Sequence, residues 1–358
     1  MTEVLFVLLM TAMACGLLGP FLVLRRLSMT ADALSHSVLL GIVLAFFLVR
    51  SLDSVLLMLG AALFGLLTVL AVELLSGKGL VKRDDALGLV FPMFFSLGVL
   101  LITRFFRNVH LDIEIVLMGD PLFAPFVRLF GLPRSLVEMF LLFLLNLSFV
   151  ILFYEPLKIS TFDPSYAFLL GIPVKRIFYA LMILCSFCCV TAFNSVGAIL
   201  VISFFAAPAA AASLLSRSLW QMILLTLLLG ALNCLIGCLI AFRWNVSISG
   251  MCSFVGMLSV LLLSLFSRGG ILRGMRRRKQ QRERFKEELL LLHLYRHRGD
   301  REETGFESLF RHVNWSRRET ERYIGRLRKM KWVFADPCDK IYKLTEEGRE
   351  RLLLAMTA

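Results

Sequence analysis

Two residues able to share one metal ion sit a helical turn apart early in the chain, Asp32 and His36 of the run Asp32-Ala33-Leu34-Ser35-His36. Residues four apart lie on one helix face, so this carboxylate and imidazole can point at the same cation. That donor pair suits borderline divalent ions such as manganese, iron or zinc. The run falls in an otherwise apolar stretch, residues 29–49. A charged side chain at the centre of a membrane span costs about 2.5–3.5 kcal/mol on insertion scales, so the pair needs a reason to be there. Passage of an ion is one reason. The other is structural: an Asp–His hydrogen bond that locks two spans together, or a pair seated at the membrane surface, with Arg25 and Arg26 close by. The residue types leave both open.

The other chemistry-bearing residues are sparse. The five histidines are His36, His110, His293, His297 and His312. His293 and His297 are again four apart, and read either as metal ligands or as part of a solvated helix face. Of eight cysteines, seven lie in apolar runs: Cys15, Cys185, Cys188, Cys189, Cys234, Cys238 and Cys252. Cys185-x-x-Cys188-Cys189 could hold a soft metal, but buried cysteine ordinarily acts as a small hydrophobe, and that is the reading adopted. A disulfide framework would need exposed, oxidising surroundings. No GxxxxGK[ST] sequence and no pair of histidines around a glutamate is present. A phosphate-cradling loop and a zinc-hydrolase helix of that type are therefore excluded.

The elements that must position these residues are membrane spans. Of 358 residues, 58% are hydrophobic, above the roughly half found in soluble domains. Stretches of about 18–25 nearly uncharged residues are long enough to cross a bilayer as helix, the backbone state that satisfies its own hydrogen bonds in lipid. About nine spans are expected, near 4–24, 29–49, 54–76, 86–103, 137–154, 177–193, 195–215, 219–242 and 247–266. The first, Val4–Leu24, lacks a basic leader and a cleavage site, and is expected to be a retained span. The seventh is expected to be broken at Pro208 within Ala206-Ala207-Pro208-Ala209-Ala210, whose small residues allow close helix approach. The outer segment Arg104–Ser135 is expected to hold a short re-entrant or surface helix.

Charge sets the orientation. Residues 1–266 hold 15 Lys/Arg against 12 Asp/Glu, while residues 267–358 hold 24 against 14, so the tail carries +10 of the net +13. Basic residues favour the cytoplasm. The tail, with Arg276-Arg277-Arg278-Lys279, is expected inside and the N-terminus outside. The inner loop between the fifth and sixth spans then contains Asp163, a helix cap with Pro164 at the first helical position. Gly171 and Pro173 end that helix. A short amphipathic helix on this face is something a partner protein could grip.

After Phe266 the composition changes. Residues 267–284 read as a Gly/Arg-rich linker and residues 285–358 as a small soluble domain. Helices are expected at Phe285–Arg298, Phe306–Val313 and Ser316–Lys331, the last opened by the capping box Ser316-x-x-Glu319. Strands at Trp332–Ala335 and Ile341–Leu344 flank the turn Asp336-Pro337-Cys338-Asp339, and a last helix starts near Thr345. Leu290, Leu294, Leu309, Ile324, Leu327 and Leu352 can supply a core. Helix–helix–helix–hairpin is the order of a winged helix-turn-helix. Its third helix bears Arg317, Arg318, Arg322 and Arg326, with Arg317, Arg318 and Thr320 placed where a recognition helix meets base edges. Phosphate contact, docking on anionic lipid and docking on protein all remain open, since fold alone assigns no function.

Several blocks in order resemble the membrane subunits of bacterial zinc, manganese and iron ABC importers. They are Gly19-Pro20-Phe21 through LVLRRLSMTADALSHSVLLGIVLAF, Asp85-Ala86-Leu87-Gly88 with PMFFSLGVLL, and Phe162-Asp163-Pro164 with Ala167 and Gly171-Ile172. VGAILVISFFAAPAAAA and Gly237–Trp244 with SISGMCSF complete the set, which covers about residues 10–266. The resemblance implies an all-α importer subunit that pairs with a second permease chain or a copy of itself. It implies cytoplasmic ATP-binding subunits, and a periplasmic or lipoprotein metal-binding protein that delivers the ion. It further implies a non-catalytic chain with no permanently bound cofactor, its metal being cargo, and Asp32 and His36 on the ion path. Phe162, Asp163, Pro164, Ala167 and Gly171 would belong to the helix that couples to the ATPase. The tail, through Leu344-Thr345-Glu346-Glu347-Gly348, resembles the winged helix of metal-dependent repressors of the diphtheria-toxin-repressor type. The expectation is thus an all-α polytopic permease with a small winged-helix domain. A membrane-tethered metal-responsive regulator is the rival reading. An unrelated secondary transporter is a third, disfavoured by the single broken span and single ionic cluster.

Overall fold

The computed structural model of the chain describes residues 2–49, 55–77, 81–105, 121–122, 126–129, 131–267, 271–297, 300–305, 309, 315–336 and 341–357. It divides into two compact units, Met1–Gly270 and Ile271–Ala358.

The first unit is a helical bundle. Its long helices are α1 (Thr2–Leu24), α2 (Ser28–Val49), α3 (Val55–Gly77) and α4 (Arg83–Phe105), then α5 (Arg134–Leu152), preceded by a two-residue hairpin of β1 (Arg128–Leu129) and β2 (Leu132–Pro133). Short helices α6 (Tyr154–Phe162) and α7 (Pro164–Leu169) lead into α8 (Val174–Val196), α9 (Ala198–Ser213), α10 (Leu219–Trp244) and α11 (Ile248–Phe266). Among the described residues eight helices are long and apolar enough to cross a membrane, and α9 is a shorter apolar helix of 16 residues. At 1.5 Å per residue that is about 24 Å, less than a full bilayer core.

Burial orders the bundle. α1 is the most enclosed helix, packed against α5, α9 and α10. The outer faces of α3, α4, α5, α10 and α11 present leucines and phenylalanines such as Leu63, Leu100, Leu141, Leu239 and Phe254. Lipid is as apolar as leucine, so burial does not drive these helices together; close van der Waals packing does. Gly41 of α2 meets Gly60 of α3 backbone to backbone, and a Cβ built on Gly41 would lie 2.4 Å from the Gly60 carbonyl oxygen.

Contacts sort the helix ends into two sets. At one end, Arg128 pairs with Glu3 at 3.2 Å, and Ser249 Oγ at the start of α11 donates to the Val196 carbonyl at the end of α8, 2.8 Å away. At the other, Arg25 after α1 donates to Ser160 and Thr161 of α6, and Tyr179 early in α8 donates to Glu73 late in α3. Strict alternation through α9 produces this segregation.

One sequence expectation about the bundle changes and another is not reached. α9 runs unbroken through Pro208; the missing N–H frees one carbonyl, which packed neighbours tolerate, and the proline ring lies against α10 near Gly230. The surface or re-entrant helix expected in Arg104–Ser135 falls largely on residues 106–120, outside the described residues; the hairpin lies within its far end.

The second unit begins with α12 (Ile271–Arg296). The expected linker 267–284 is therefore helical from Ile271 onward. Its Arg, Lys, Gln and Glu are strong helix formers, and the lone Gly274 costs only about 1 kcal/mol. Then come α13 (Arg301–Thr304), α14 (Arg317–Lys329), an antiparallel hairpin of β3 (Val333–Asp336) and β4 (Ile341–Leu344), and α15 (Glu346–Thr357). The expected helix at Phe306–Val313 lies outside the described residues save Leu309, as does the turn's Pro337-Cys338-Asp339. The core is the expected one: Leu290, Leu294, Leu309, Ile324, Leu327 and Leu352 are all buried together, with Leu291, Tyr323 and Val333.

Candidate functional site

α2 positions Asp32 and His36. Its face toward α4 carries Ala33, which packs with Ala86, Leu87 and Val90, so the polar pair one step along the helix is held beside α4. His36 Nε2 lies 3.4 Å from Asp32 Oδ1, and the side chains are 30% and 37% exposed. The imidazole is fixed by aromatic neighbours: it stacks on Phe91, 5.8 Å between centroids, and meets the edge of Phe95 at 5.4 Å. Its Nδ1 is buried without a hydrogen-bond partner among the described residues. A buried, unsatisfied polar atom costs about 1–3 kcal/mol. Both residues are on α2, and among the described residues neither ring nitrogen of His36 is seen to reach a polar group of another helix. A carboxylate and an imidazole thus share one partly open face, a donor pair of the kind borderline divalent ions take.

The second candidate region is the segment Phe162–Gly171. Asp163 caps α7 as expected, its carboxylate accepting from Tyr166 N at 2.9 Å, with Pro164 at the first position. Gly171 takes φ +74° after the helix, a left-handed conformation natural to glycine. Ala167 is fully buried and seats α7 on its neighbours, whereas Phe162, Phe168 and Leu169 are 62%, 79% and 81% exposed. Pro164, Ser165, Phe168 and Leu169 line an open depression of about 470 Å³. Phe168 and Leu169 of α7, with Phe162 at the end of α6, make an exposed apolar patch.

Beside α7 lies a feature the sequence reading missed. A cavity of about 380 Å³ is lined by Arg25, Arg26, Glu73, Arg83, Thr161 and Lys175, among others. Arg25 donates to Ser160 at 2.8 Å and Thr161 at 3.0 Å, which ties the end of α1 to the segment carrying α7. Burial, and then the like charge of Arg83, lower the Arg25 guanidinium to about 10. Four cations from three connections converge here, and only their shared position on loop ends could have hinted at it.

In the tail, Ser316 caps α14, accepting from Glu319 N. The four arginines divide. Arg318 and Arg322 are exposed. Arg317 pairs with Glu321 at 3.1 Å, and Arg326 reaches Glu283 at 3.1 Å and Glu287 at 3.6 Å on α12. The Glu283 hydrogen bond raises the Arg326 pKa further. Thr320, expected among the outward contacts, is instead buried, its hydroxyl donating to the Ser316 carbonyl. Ser316 fixes the rotation of the helix, and position 320 then falls on the same face as Ile324 and Leu327.

Residues 1–268 match the model of the ABC 3 transport family. The manganese transport system membrane protein MntD of Bacillus subtilis (strain 168) is 42% identical over 284 residues, 77% of this chain and 95% of that protein. The zinc transport system membrane protein TroD of Treponema pallidum (strain Nichols) is 41% identical over 330 residues, 90% of each. Such a match necessarily runs well past residue 268, into the second unit. Among solved structures, PsaBC from Streptococcus pneumoniae in complex with Fab superposes with a TM-score of 0.62 at 29% identity, covering 75% of this chain and 91% of that one.

Proposed function

The chain belongs to the ABC 3 transport family, and from that premise we propose that it is the membrane subunit of an ATP-driven importer for a divalent metal ion, manganese, zinc or iron. It is a multi-pass membrane protein of the inner membrane and a non-catalytic component: hydrolysis belongs to ATP-binding subunits. An extracytoplasmic metal-binding protein would deliver the ion, and a second permease chain or a copy of this one would complete the pathway. The observation that carries the reading is similarity over nearly the whole of MntD and TroD, membrane proteins of manganese and zinc transport systems.

Within it, Asp32 and His36 are proposed to pass the ion, supported by the partly exposed pair and the unsatisfied Nδ1 of His36. Phe162, Asp163, Pro164, Ala167 and Gly171 are proposed to build the helix that receives ATPase movement. In support, Asp163 and Gly171 shape α7 and Ala167 seats it, while Phe168 and Leu169 stand exposed. Nine alternating crossings would put this end and the tail in the cytoplasm and Glu3 outside.

We propose that residues 285–358 form a winged-helix-like domain, on the order α12, α13, α14, β3–β4, α15. Its outward cations are fewer than the sequence suggested, because Arg317 and Arg326 are engaged by carboxylates. That favours docking on protein or anionic lipid over reading of DNA. The deciding experiment is uptake of manganese, zinc and iron in competition, in cells with and without the chain. Uptake of at least one ion should fall when the chain is lost; no change for any of the three would overturn the reading.

A further inference from the structure

We infer that the second unit carries a metal site of its own, built from His293, His297 and Glu303. His293 lies in the last turn of α12 and His297 just past its end, its N–H donating to the His293 carbonyl, with the two rings 4.8 Å apart. Glu303 comes from α13. His293 Nε2 is 3.5 Å from the Glu303 carboxylate and donates to the Glu303 carbonyl at 3.1 Å. One ligand atom from each of the three residues lies within 4.8 Å of the others. Ligands at about 2.0–2.1 Å from a tetrahedral zinc stand roughly 3.3 Å apart, so small side-chain rotations close the set around an ion.

The framework holds these groups without the metal. α12 is anchored by buried Leu290, Leu291 and Leu294. Asp300 caps α13 through Glu302 N, and Thr304 donates back to the Asp300 carbonyl. Gly305 then bridges to Ile341 on β4. The site thus joins α12 to a segment fixed on the hairpin, and His293 and Glu303 are only 15% and 26% exposed. Exposed carboxylate clusters bind little; two imidazoles with one carboxylate, half-buried on rigid supports, are a different matter. Two nitrogens and one oxygen favour zinc, cobalt or nickel over the oxygen-preferring manganese, magnesium or calcium. Three protein ligands leave a fourth position for water or another group. The inference stands on these side chains and does not depend on what the membrane unit transports.

The test uses the full chain in detergent, freed of any polyhistidine tag, with Zn²⁺ and Co²⁺ as probes. The wild-type chain should bind Co²⁺ with the visible absorption of a low-coordinate nitrogen–oxygen site, displaced by Zn²⁺. His293→Gln, His297→Gln and Glu303→Gln should each weaken that signal at least tenfold, while Glu321→Gln, in neither proposed site, leaves it intact. Zn²⁺ should slow amide exchange across residues 293–304 in the wild type and not in the variants. Metal-free thermal unfolding should match between wild type and Glu303→Gln, the variant least able to disturb the core. An unchanged Co²⁺ spectrum and zinc stoichiometry in the three variants would overturn the site. So would an equal loss of signal in Glu321→Gln. Uptake assays on the same variants report separately on the membrane unit.

Discussion

At the residue scale, Asp32 and His36 are proposed as a minimal ion-binding pair, placed where unrelieved charge is costly. Each provides one of few polar atoms available to a dehydrated cation on α2. Asp32→Ala or His36→Ala should therefore reduce metal uptake at least tenfold, with the protein still inserted at normal amount. Vesicle uptake by both purified variants at the wild-type rate would remove the assignment. The pair itself was legible, because spacing of four fixes a shared helix face. Its surroundings were not. Phe91 and Phe95 come from α4, and no local pattern says which residues of α4 stand opposite His36; that depends on helix rotation and on close packing of small residues. The same limit explains Thr320 and Arg326. Their helix was legible, but which side of it met α12 was decided by tertiary contacts.

At the element scale, α7 shows local chemistry that sequence reveals well. Cap, N1 proline and terminal glycine predicted its start and end, and Asp163, Pro164 and Gly171 stand in those roles. What the sequence did not reveal is the direction of its side chains. Ala167 faces inward, so Ala167→Arg would unseat the helix by burying a charge. Phe168 and Leu169 face outward, so Leu169→Asp should leave the fold intact and lose most co-purifying ATPase. Gly171→Val should hold α7 at a different angle, since left-handed backbone costs an L-residue about 1–2 kcal/mol, and should raise ATP hydrolysed per ion moved. Pull-down and coupled hydrolysis–uptake assays read both. Normal coupling in Leu169→Asp would place the docking surface elsewhere. α12 teaches the reverse lesson: Arg- and Gly-rich composition suggested a linker, but the glycines cluster at positions 269 and 270, and the residues beyond them are helix formers.

At the scale of the whole molecule, the question is whether the tail belongs to the transport machine. Its own buried cluster draws on α12, α14, β3 and α15, and the match to TroD extends into it. A fragment of residues 271–358 should therefore unfold cooperatively on its own, which circular dichroism against denaturant can check. A full chain truncated after Gly270 should insert and take up metal within about twofold of the wild-type rate, because the described residues of the main bundle core all fall between Val4 and Cys252. Binding of the fragment to nucleic acid should be weak. Each phosphate neutralised contributes about −0.9 to the slope of log affinity against log salt. With Arg317 and Arg326 already paired, α14 is left with Arg318, Arg322, Arg328 and Lys329, so the share of the slope due to α14 should not be steeper than about −4. Sequence preference that survives physiological salt would support a regulator acting on DNA. Equal binding to random DNA and to anionic vesicles would support a surface-docking module. Loss of uptake on truncation, with the protein still in the membrane, would mean that ATPase movement reaches the bundle through the tail as well as through α7.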